Sequence, residues 1–597
     1  MLISKRNLRT IFYTVVLTSV ALIAEYHGVF ARMENYFYDL RAQLCQRHIP
    51  PPTDRLVHLD IDDAAVEAVG RWPWDRDDMA EMVEEIRLAG AKVLVLDVLY
   101  AEPTSLTYDA RGNKHDPDAS LAEEIRKFDG VILPASIMPG PAVASTPLYA
   151  QIAAEMQAGV HDADAIKRKI IPSADPTIIG PAERDFDRAY ERVSRDRAFS
   201  RITISPPAGM PPVLSASDAL VPLADFSNAA KQGAFLDYLP DHSDGVVRQA
   251  PLVCEYHGRL IPQLGLAAAC AMLDVDPARL RYSHDTIIIP QPGGDDIRIP
   301  VTSRMVRGLG EVGMLMEVPM FGQKEDWETM YDVPNHKVIA RHLSMQSVWA
   351  ACQTRRRLAS NNAAADDLLS QALFKLDGNS GRAAEYTAHP LRGAEQEALI
   401  DKTIDELHDL IDAMSNASVD PSERQTLETF KRCETQLRAV KQANVGLNRE
   451  LVRERNELAA RLGGRAVFVG GTATGIADIV PTALHTRCPG VVIHGAVFNA
   501  IMTRKLWRVA PRYITIMIMI LFAIIAGVMV IRLSPIRATV GMIVLSIGYV
   551  AMNGYVLFDA YNLIVGVTGP LLVALLVWLV MITQLMAQNA RPARAGG

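Results

Sequence analysis

Three long apolar runs without a charged side chain lie near the end of the sequence, and they constrain the fold more than any other feature. They cover residues 513–531, 539–558 and 564–586. A helix needs about 20 such residues to cross a bilayer. Pumps and channels place ionisable groups inside the membrane. The uncharged runs therefore predict three anchoring transmembrane spans and argue against transport.

The N-terminus carries a shorter apolar core. Lys5, Arg6 and Arg9 precede residues 11–24, and residues 29–31 (VFA) resemble a signal-peptide cleavage site. The alternatives are a cleaved signal peptide and an uncleaved anchor. We favour a transmembrane anchor over residues 1–32.

Basic residues in the short loops predict the orientation. Arg532 and Arg537 lie between the first two C-terminal spans, and the tail 587–597 carries further arginines. The positive-inside rule places these segments in the cytoplasm, so residues 33–506 lie outside, in the periplasm of a bacterial inner-membrane protein. The basic stretch 504–512 falls on the opposite side, which a long translocated domain tolerates.

Few residues remain for an output module. Only residues 587–597 follow the last span, whereas a catalytic domain needs on the order of 100 residues. We therefore expect no enzyme activity and no cofactor. Signal output would require a separate cytoplasmic effector, unless the chain is truncated before a cyclase or kinase domain.

The outer region has the pattern of an α/β domain. Apolar runs predict buried strands, and a 3–4 spacing of apolar residues predicts a helix packed on them. The expected strands are 55–62, 92–100, 130–134 and 465–470, and the expected helices are 77–89 and 491–503.

A charged helical segment interrupts this domain over residues 335–462. Apolar residues repeat at spacings of 3 and 4 over 400–414 and 437–458, and Pro421 separates the two. This predicts an inserted helical hairpin. It either forms a coiled coil with a partner or a second copy of the chain, or packs within its own chain.

Several ordered motifs resemble a known sensory module, the CHASE domain of the second type, an extracellular part of bacterial receptor cyclases and kinases. The motifs are DIDD (60–63), GRWPWDR (70–76), KV through Asp97 (92–97), EP (102–103), DGVVR (244–248), VFVGGTATGIAD (467–478) and PGVVIH (489–494). The resemblance covers about 35–320 and 463–590. It implies a sensor in two pieces, 33–334 and 463–506, with one span before it and three after it.

Acidic residues at strand ends are the candidate ligand-binding groups. Ligands of open α/β sheets bind at the carboxyl ends of the strands, and carboxylates suit a cation or a polyhydroxylated ligand. The alternative is a structural network with nearby arginines. The candidates, including the GRWPWDR turn and the later motifs, are Asp60, Asp62, Asp63, Trp72, Trp74, Arg76, Asp97, Glu102, Asp244, Arg248 and Asp478.

The cysteines and the net charge narrow the remaining functions. None of the six cysteines forms a C-x-x-C pair. Cys352 and Cys433 are candidates for a disulfide within the insertion, and Cys254 and Cys270 are predicted to be buried thiols. We expect no metal site. A net charge of −7 argues against nucleic-acid binding. The sequence predicts a membrane receptor for an unknown small-molecule or envelope signal, with a membrane-anchored scaffold acting through the insertion as the alternative.

Overall fold

The chain contains two compact units. The computed structural model describes residues 5–108, 112–141, 143, 145–171, 181–376, 381–416 and 420–589. We call Met1–Asp63, Lys92–Leu343 and Gly464–Gly597 the sheet unit, and Ala64–Ala91 with Ser344–Gly463 the helical unit.

The sheet unit is built on a nine-stranded sheet with five parallel strands at its centre. These five are, in spatial order, Gln232–Phe235, Val131–Pro139, Val93–Asp97, Ala466–Gly471 and Leu56–Ile61. The strand after the insertion lies between the first two strands of the sequence, in register Leu56 with Ala466 and Ala466 with Val93. The other strands of this sheet are Leu214–Leu220, Val253–Tyr256, Arg259–Pro262 and His342–Ser344.

The parallel strands form where the sequence predicted buried apolar runs. Every residue of Leu56–Ile61 is buried, as are the first four residues of Val93–Asp97. The helices Leu264–Met272 and Gly490–Thr503 pack against the sheet and are apolar on all sides. Such all-round apolar character is typical of a helix buried in a core.

Glycines allow this close packing. A Cβ atom on Gly470 would lie 2.6 Å from Cβ of Val491, and one on Gly495 would lie 2.3 Å from the ring of His58. The glycine-rich end of the Ala466–Gly471 strand is therefore explained by the approach of the helix Gly490–Thr503. No phosphate loop is needed to explain it.

Shorter elements complete the sheet unit. The helices are Ala31–Leu44, Pro117–Phe128, Pro147–Gln157, Ala163–Ile170, Pro181–Arg201 and Ala224–Ala229, with a 3₁₀ turn at Pro277–Arg279. The strands are Thr107–Tyr108, Lys114–His115, Gln249–Pro251, Arg281–Tyr282, Thr286–Ile289, Ile297–Pro300, Thr302–Val306, Gly310–Glu317, Thr329–Asp332, Lys337–Ala340, Ile479–Val480, Cys488–Pro489, Arg508–Val509 and Leu563–Ile564.

The helical unit has more helices than a hairpin. Its helices are Asp63–Val69, Arg76–Leu88, Gln346–Leu376, Gly381–Ala388, Ala394–Ser415 and Pro421–Leu462. The expected insertion began at residue 335, whereas residues 337–344 form strands and the helices begin at Gln346. The expected arms correspond to Ala394–Ser415 and Pro421–Leu462, and Gln346–Leu376 is a third long helix packed on the latter.

The periodic leucines of the insertion face the inside of this unit. Leu437 is fully buried among residues of three long helices, and Leu451 and Leu458 are also buried. This burial favours packing within the chain, the second of the two alternatives for the periodic pattern.

The membrane part contains the apolar helices that the sequence predicted. Among the described residues, three segments are long and apolar enough to cross a membrane: Asn7–Tyr26, Arg512–Arg532 and Pro535–Ala560. The second of the three C-terminal segments runs as an α-helix over Pro535–Ala551 and as a π-helix over Met552–Ala560. The last apolar helix is Thr568–Asn589.

Two span boundaries differ from the expected ones. The middle span begins at Pro535 and not at residue 539, and Leu563–Ile564 belongs to a strand rather than to the last span. That strand pairs in parallel with Arg508–Val509, which precedes the helix Arg512–Arg532. Backbone pairing therefore delays the last helix to Thr568. Most of the expected tail 587–597 lies outside the described residues.

All six cysteines lie in the described part of the chain and are free and buried. Cys254 and Cys270 are buried thiols, as expected. The candidate disulfide between Cys352 and Cys433 is not formed, since both thiols are free. Cys433 belongs to the core that Leu407 and Leu437 share, whereas Cys352 lies near the start of Gln346–Leu376, beside Arg355 and Glu85.

Candidate functional site

Three acidic side chains lie at or beyond the carboxyl ends of three of the five parallel strands. Asp97 ends the strand Val93–Asp97, Asp237 follows Gln232–Phe235, and Asp478 lies in the loop after Ala466–Gly471. We call Asp97, Asp237 and Asp478 the acidic edge. The sequence pointed to Asp97 and Asp478 but missed Asp237, although the apolar run before it (GAFL) is a strand-end signal.

The acids of this edge repel one another in partly buried surroundings. Burial, together with the charges of Asp478 and Asp237, raises the pKa of Asp97 to about 7. Burial also raises the pKa of Asp237, although its carboxylate accepts hydrogen bonds from the Ile137 amide (2.6 Å) and the Ser136 hydroxyl (3.1 Å). In the described part of the chain, no basic side chain forms an ion pair with these three acids.

An aromatic and histidine layer adjoins the acidic edge. Tyr238 follows Asp237 and stacks on His494, with ring centroids 5.3 Å apart. Burial and the three acids raise the pKa of Tyr238 well above its usual value. Burial lowers the pKa of His494 to about 3, so its ring is neutral. Its Nδ1 accepts a hydrogen bond of 2.6 Å from Gln263. His494 is thus a buried histidine whose Nδ1 has a hydrogen-bond partner.

The arrangement of the acidic edge favours the binding of a proton or an organic cation. Its acids form no ion pair with a basic side chain of the described residues, and the pKa of Asp97 lies within the physiological range. Within the described residues, no group of three or more histidine, cysteine or acidic side chains has the geometry to hold a metal ion. The acidic edge is therefore not a preformed metal site.

A comparison with models of known protein families shows the family to which this chain belongs. The model of the CHASE2 domain matches residues 14–529, which is most of the chain. The chain belongs to the CHASE2 family. CHASE2 domains are extracellular sensor modules of membrane-bound signalling receptors, so the sensor assignment and the membrane location follow. No curated protein and no solved structure matches the chain.

Within this CHASE2 chain, Asp60 has a different environment from the acidic edge. Its Oδ2 atom accepts a hydrogen bond of 2.8 Å from Nδ1 of His342, on the edge strand His342–Ser344. The ring of His342 stacks on His58, with centroids 4.5 Å apart and planes 7° apart. His58 is fully buried, and burial and the neighbouring histidines lower its pKa well below the usual value. Asp60 therefore holds an edge strand.

Asp63, a neighbouring acid of the same CHASE2 motif, also binds within the chain. Both carboxylate oxygens of Asp63 bind Thr474, at 2.9 Å from its amide and 3.1 Å from its hydroxyl. This contact fastens the loop after Ala466–Gly471. Asp62 is half-buried, and Glu102 is exposed.

Asp244 and Arg248 form part of an ion-pair network. The Arg248 guanidinium donates to both oxygens of Asp244, at 3.0 and 2.9 Å, and to both oxygens of Asp39, at 2.7 and 2.6 Å. Asp39 lies in the helix Ala31–Leu44, which follows the first apolar helix. This motif of the CHASE2 domain therefore binds a helix of its own chain.

Trp72, Trp74 and Arg76 belong to the helical unit. The rings of Trp72 and Trp74 meet edge to face at 5.1 Å, and the Trp74 indole donates to the Gly70 carbonyl at 2.9 Å. Trp74 is buried. These contacts support a structural role of the turn.

Proposed function

We propose that this chain is a bacterial inner-membrane sensor that reads a cationic signal at the acidic edge and relays it through Ala31–Leu44 into the membrane helices. Residues 33–506 would lie in the periplasm, and a separate cytoplasmic protein would receive the signal. The observation that carries the proposal is a single helix whose charged side chains bind the sensor domain and the membrane helices together. We call Ala31–Leu44 the junction helix.

The sensor side of the junction helix is held by charge. Asp39 accepts two hydrogen bonds from Arg248, a side chain that is 7% exposed. Tyr38, one position earlier, is buried and interacts with Glu317 of the strand Gly310–Glu317. Bidentate arginine–carboxylate pairs fix orientation as well as distance. A displacement of the sensor strands would therefore move the junction helix.

The membrane side of the same helix is held equally closely. The Arg41 guanidinium donates to Oδ1 of Asn553 at 2.7 Å and to the Val565 carbonyl at 2.8 Å. Glu34 accepts from the amides of Val567 and Thr568, at 2.9 and 3.0 Å, where the last apolar helix begins. A carboxylate at a helix N-terminus is stabilised by the helix dipole. Movement of this helix would reach two membrane helices.

A second connection runs from the acidic edge itself. The helix Gly490–Thr503 begins beside Asp478, whose carbonyl accepts from the Gly490 amide at 2.8 Å. It ends just before Lys505, a buried lysine that donates to the carbonyls of His48 and Asp559 at 3.2 and 3.3 Å. Asp559 in turn accepts from the amides of Arg47 and His48. This second connection also links the sensor domain to the membrane helices, and it supports the proposed relay.

The test uses protons as the probe, because the identity of the signal is open. The full chain carrying Ser534→Cys, in the exposed loop between two membrane helices, is spin-labelled in lipid nanodiscs. The native cysteines are buried and leave the new one as the labelling site. Label mobility is followed from about pH 5.5 to about pH 8.5, across the pKa of Asp97.

We expect a change in label mobility with a midpoint near the pKa of Asp97. Asp97→Asn should remove this change, and Asp39→Asn, which keeps the side-chain size, should reduce it. Asp295→Asn, at an exposed acid, is the control and should leave it intact. An unaltered response in Asp97→Asn would overturn the acidic edge as the input. An unaltered response in Asp39→Asn would overturn the junction helix as the route.

A further inference from the structure

With residues 33–506 in the periplasm, as proposed above and on which this inference rests, the basic stretch 504–512 lies on the side of the membrane that the positive-inside rule does not favour. Two of its residues are bound within the protein. Lys505 is buried against backbone carbonyls, and Arg504 donates to the Asp295 carbonyl at 2.9 Å. Arg508 is exposed, and in the described part of the chain no acid lies within ion-pair distance of it. Among the residues that the structure describes, the charge of Arg508 therefore has no acidic partner.

Arg508 lines a cavity with two further arginines. The cavity has a volume of about 330 Å³, and its basic side chains are Arg298, Arg504 and Arg508. Arg298 is exposed on the strand Ile297–Pro300 and, among the described residues, has no acidic partner either. One acid, Asp296, also lines the cavity, but it forms an ion pair with Arg281. The cavity is therefore electropositive and has room for a small anionic group.

The cavity lies near the start of the candidate membrane span Arg512–Arg532 and of the apolar helix Thr568–Asn589. Arg508 belongs to the strand that pairs with Leu563–Ile564, and its amide donates to the Asn562 carbonyl at 2.8 Å. The helices Arg512–Arg532 and Thr568–Asn589 start within a few residues of this pair. Tyr561, which also lines the cavity, is 70% exposed. Tyrosine is enriched at the level of the lipid headgroups.

We propose that this cavity binds the phosphate group of an anionic phospholipid in the leaflet that faces the sensor domain. Arginine guanidinium groups bind phosphate oxygens in pairs of hydrogen bonds. Basic pockets beside membrane helices are suited to anionic headgroups. The lipid would contact the segment 504–512 and the strand Leu563–Ile564, which join the sensor domain to two membrane helices. A free phosphate has the same chemistry, so the test separates the two sources.

The experiment measures binding to the full chain in a neutral detergent by isothermal titration calorimetry. The probes are short-chain phosphatidylglycerol, short-chain phosphatidylcholine and inorganic phosphate. The variant is Arg298→Gln/Arg508→Gln, and the charge-matched control is Arg279→Gln/Arg307→Gln, at two exposed arginines outside the cavity. Thermal unfolding without lipid shows that each variant is folded.

We expect phosphatidylglycerol to bind the wild type and the control with equal affinity. The cavity variant should bind roughly thirtyfold more weakly, because each arginine near a membrane surface contributes on the order of 1 kcal/mol to anionic lipid binding. Phosphatidylcholine and inorganic phosphate should bind much more weakly than phosphatidylglycerol. Equal affinity of the cavity variant, or of phosphatidylcholine, would overturn the proposal. Inorganic phosphate binding as tightly as the lipid would overturn the lipid as the ligand.

Discussion

Two acidic clusters of this chain, one in each unit, have opposite surroundings. In the helical unit, Glu85 is fully buried and binds the guanidinium of Arg455 through both oxygens at 2.8 Å, with Arg355 at 3.3 Å. In the sheet unit, Asp97 and Asp237 are partly buried beside Asp478, and no basic side chain of the described residues pairs with them.

The difference in surroundings distinguishes acids with a structural role from acids that are available to bind a ligand. A buried carboxylate is stable when arginines neutralise it, and it then has little capacity for an external ligand. A carboxylate that is buried among other acids takes up a proton or attracts a cation instead. By this criterion the acids of the helical unit hold helices together, whereas the acidic edge has the surroundings expected of the proposed signal site.

The largest effect on stability is expected from a change in the ion-paired cluster around Glu85. Glu85→Gln removes the charge that Arg455 and Arg355 share and should lower the opening free energy of the helix Pro421–Leu462 by about 2–3 kcal/mol. The arginines are partly exposed, which limits the loss. Native-state hydrogen exchange measures this opening. Glu67→Gln, at an exposed position, is the control; an equal effect of both changes would remove the distinction between the clusters.

A smaller effect of opposite sign is expected at the acidic edge. The pKa of Asp97 rises from 3.8 in a model peptide to about 7 in the folded chain. Its contribution to stability is therefore full below about pH 4 and is lost as the pH rises through about 7. At about pH 8, Asp97→Asn should stabilise the chain by about 1–2 kcal/mol, and near pH 4 the two proteins should be alike. Thermal unfolding over this pH range checks the sign; parallel curves would refute it.

The smallest effect on stability is expected at Asp63, which follows a strand in the sequence as Asp97 does but binds within the chain. Asp63→Ala removes two exposed hydrogen bonds to Thr474 and should loosen the loop 472–477 by about 0.5–1 kcal/mol. Hydrogen exchange at the Thr474 amide reports the change. The pH dependence of unfolding should stay that of the wild type. A shift in the pH dependence of unfolding would group Asp63 with the acids of the acidic edge.

The central strands could be predicted because parallel strands buried on both faces are continuous apolar runs. Leu56–Ile61, Val93–Asp97 and Ala466–Gly471 were located within a few residues for this reason. The short strand His342–Ser344 could not, because an edge strand is defined by its partner, here the backbone of Leu56–Ile61. The short strands in this segment have no apolar pattern that indicates a strand, so the sequence favoured a helical interpretation of residues 335–345.

The candidate site was predictable only where a strand end marked it. Asp97 was a candidate because acids follow apolar runs, and Asp478 because it ends a motif of the resemblance. Asp60 and Asp63 share the first signal and bind within the chain. Arg248 was grouped with the ligand-binding residues because its partner Asp39 lies far away in the sequence. Such pairings depend on tertiary contacts, which one sequence does not reveal.

The protonation of Asp97 is the central claim, and its infrared absorption tests it most directly. The band of protonated carboxyl groups is recorded for the full chain from about pH 4 to about pH 9 and compared with that of Asp97→Asn. We predict that the wild type has one additional protonated carboxyl with a midpoint near pH 7, which Asp97→Asn lacks and Glu85→Gln retains. A midpoint near the value of a free aspartate, about pH 4, would contradict the account.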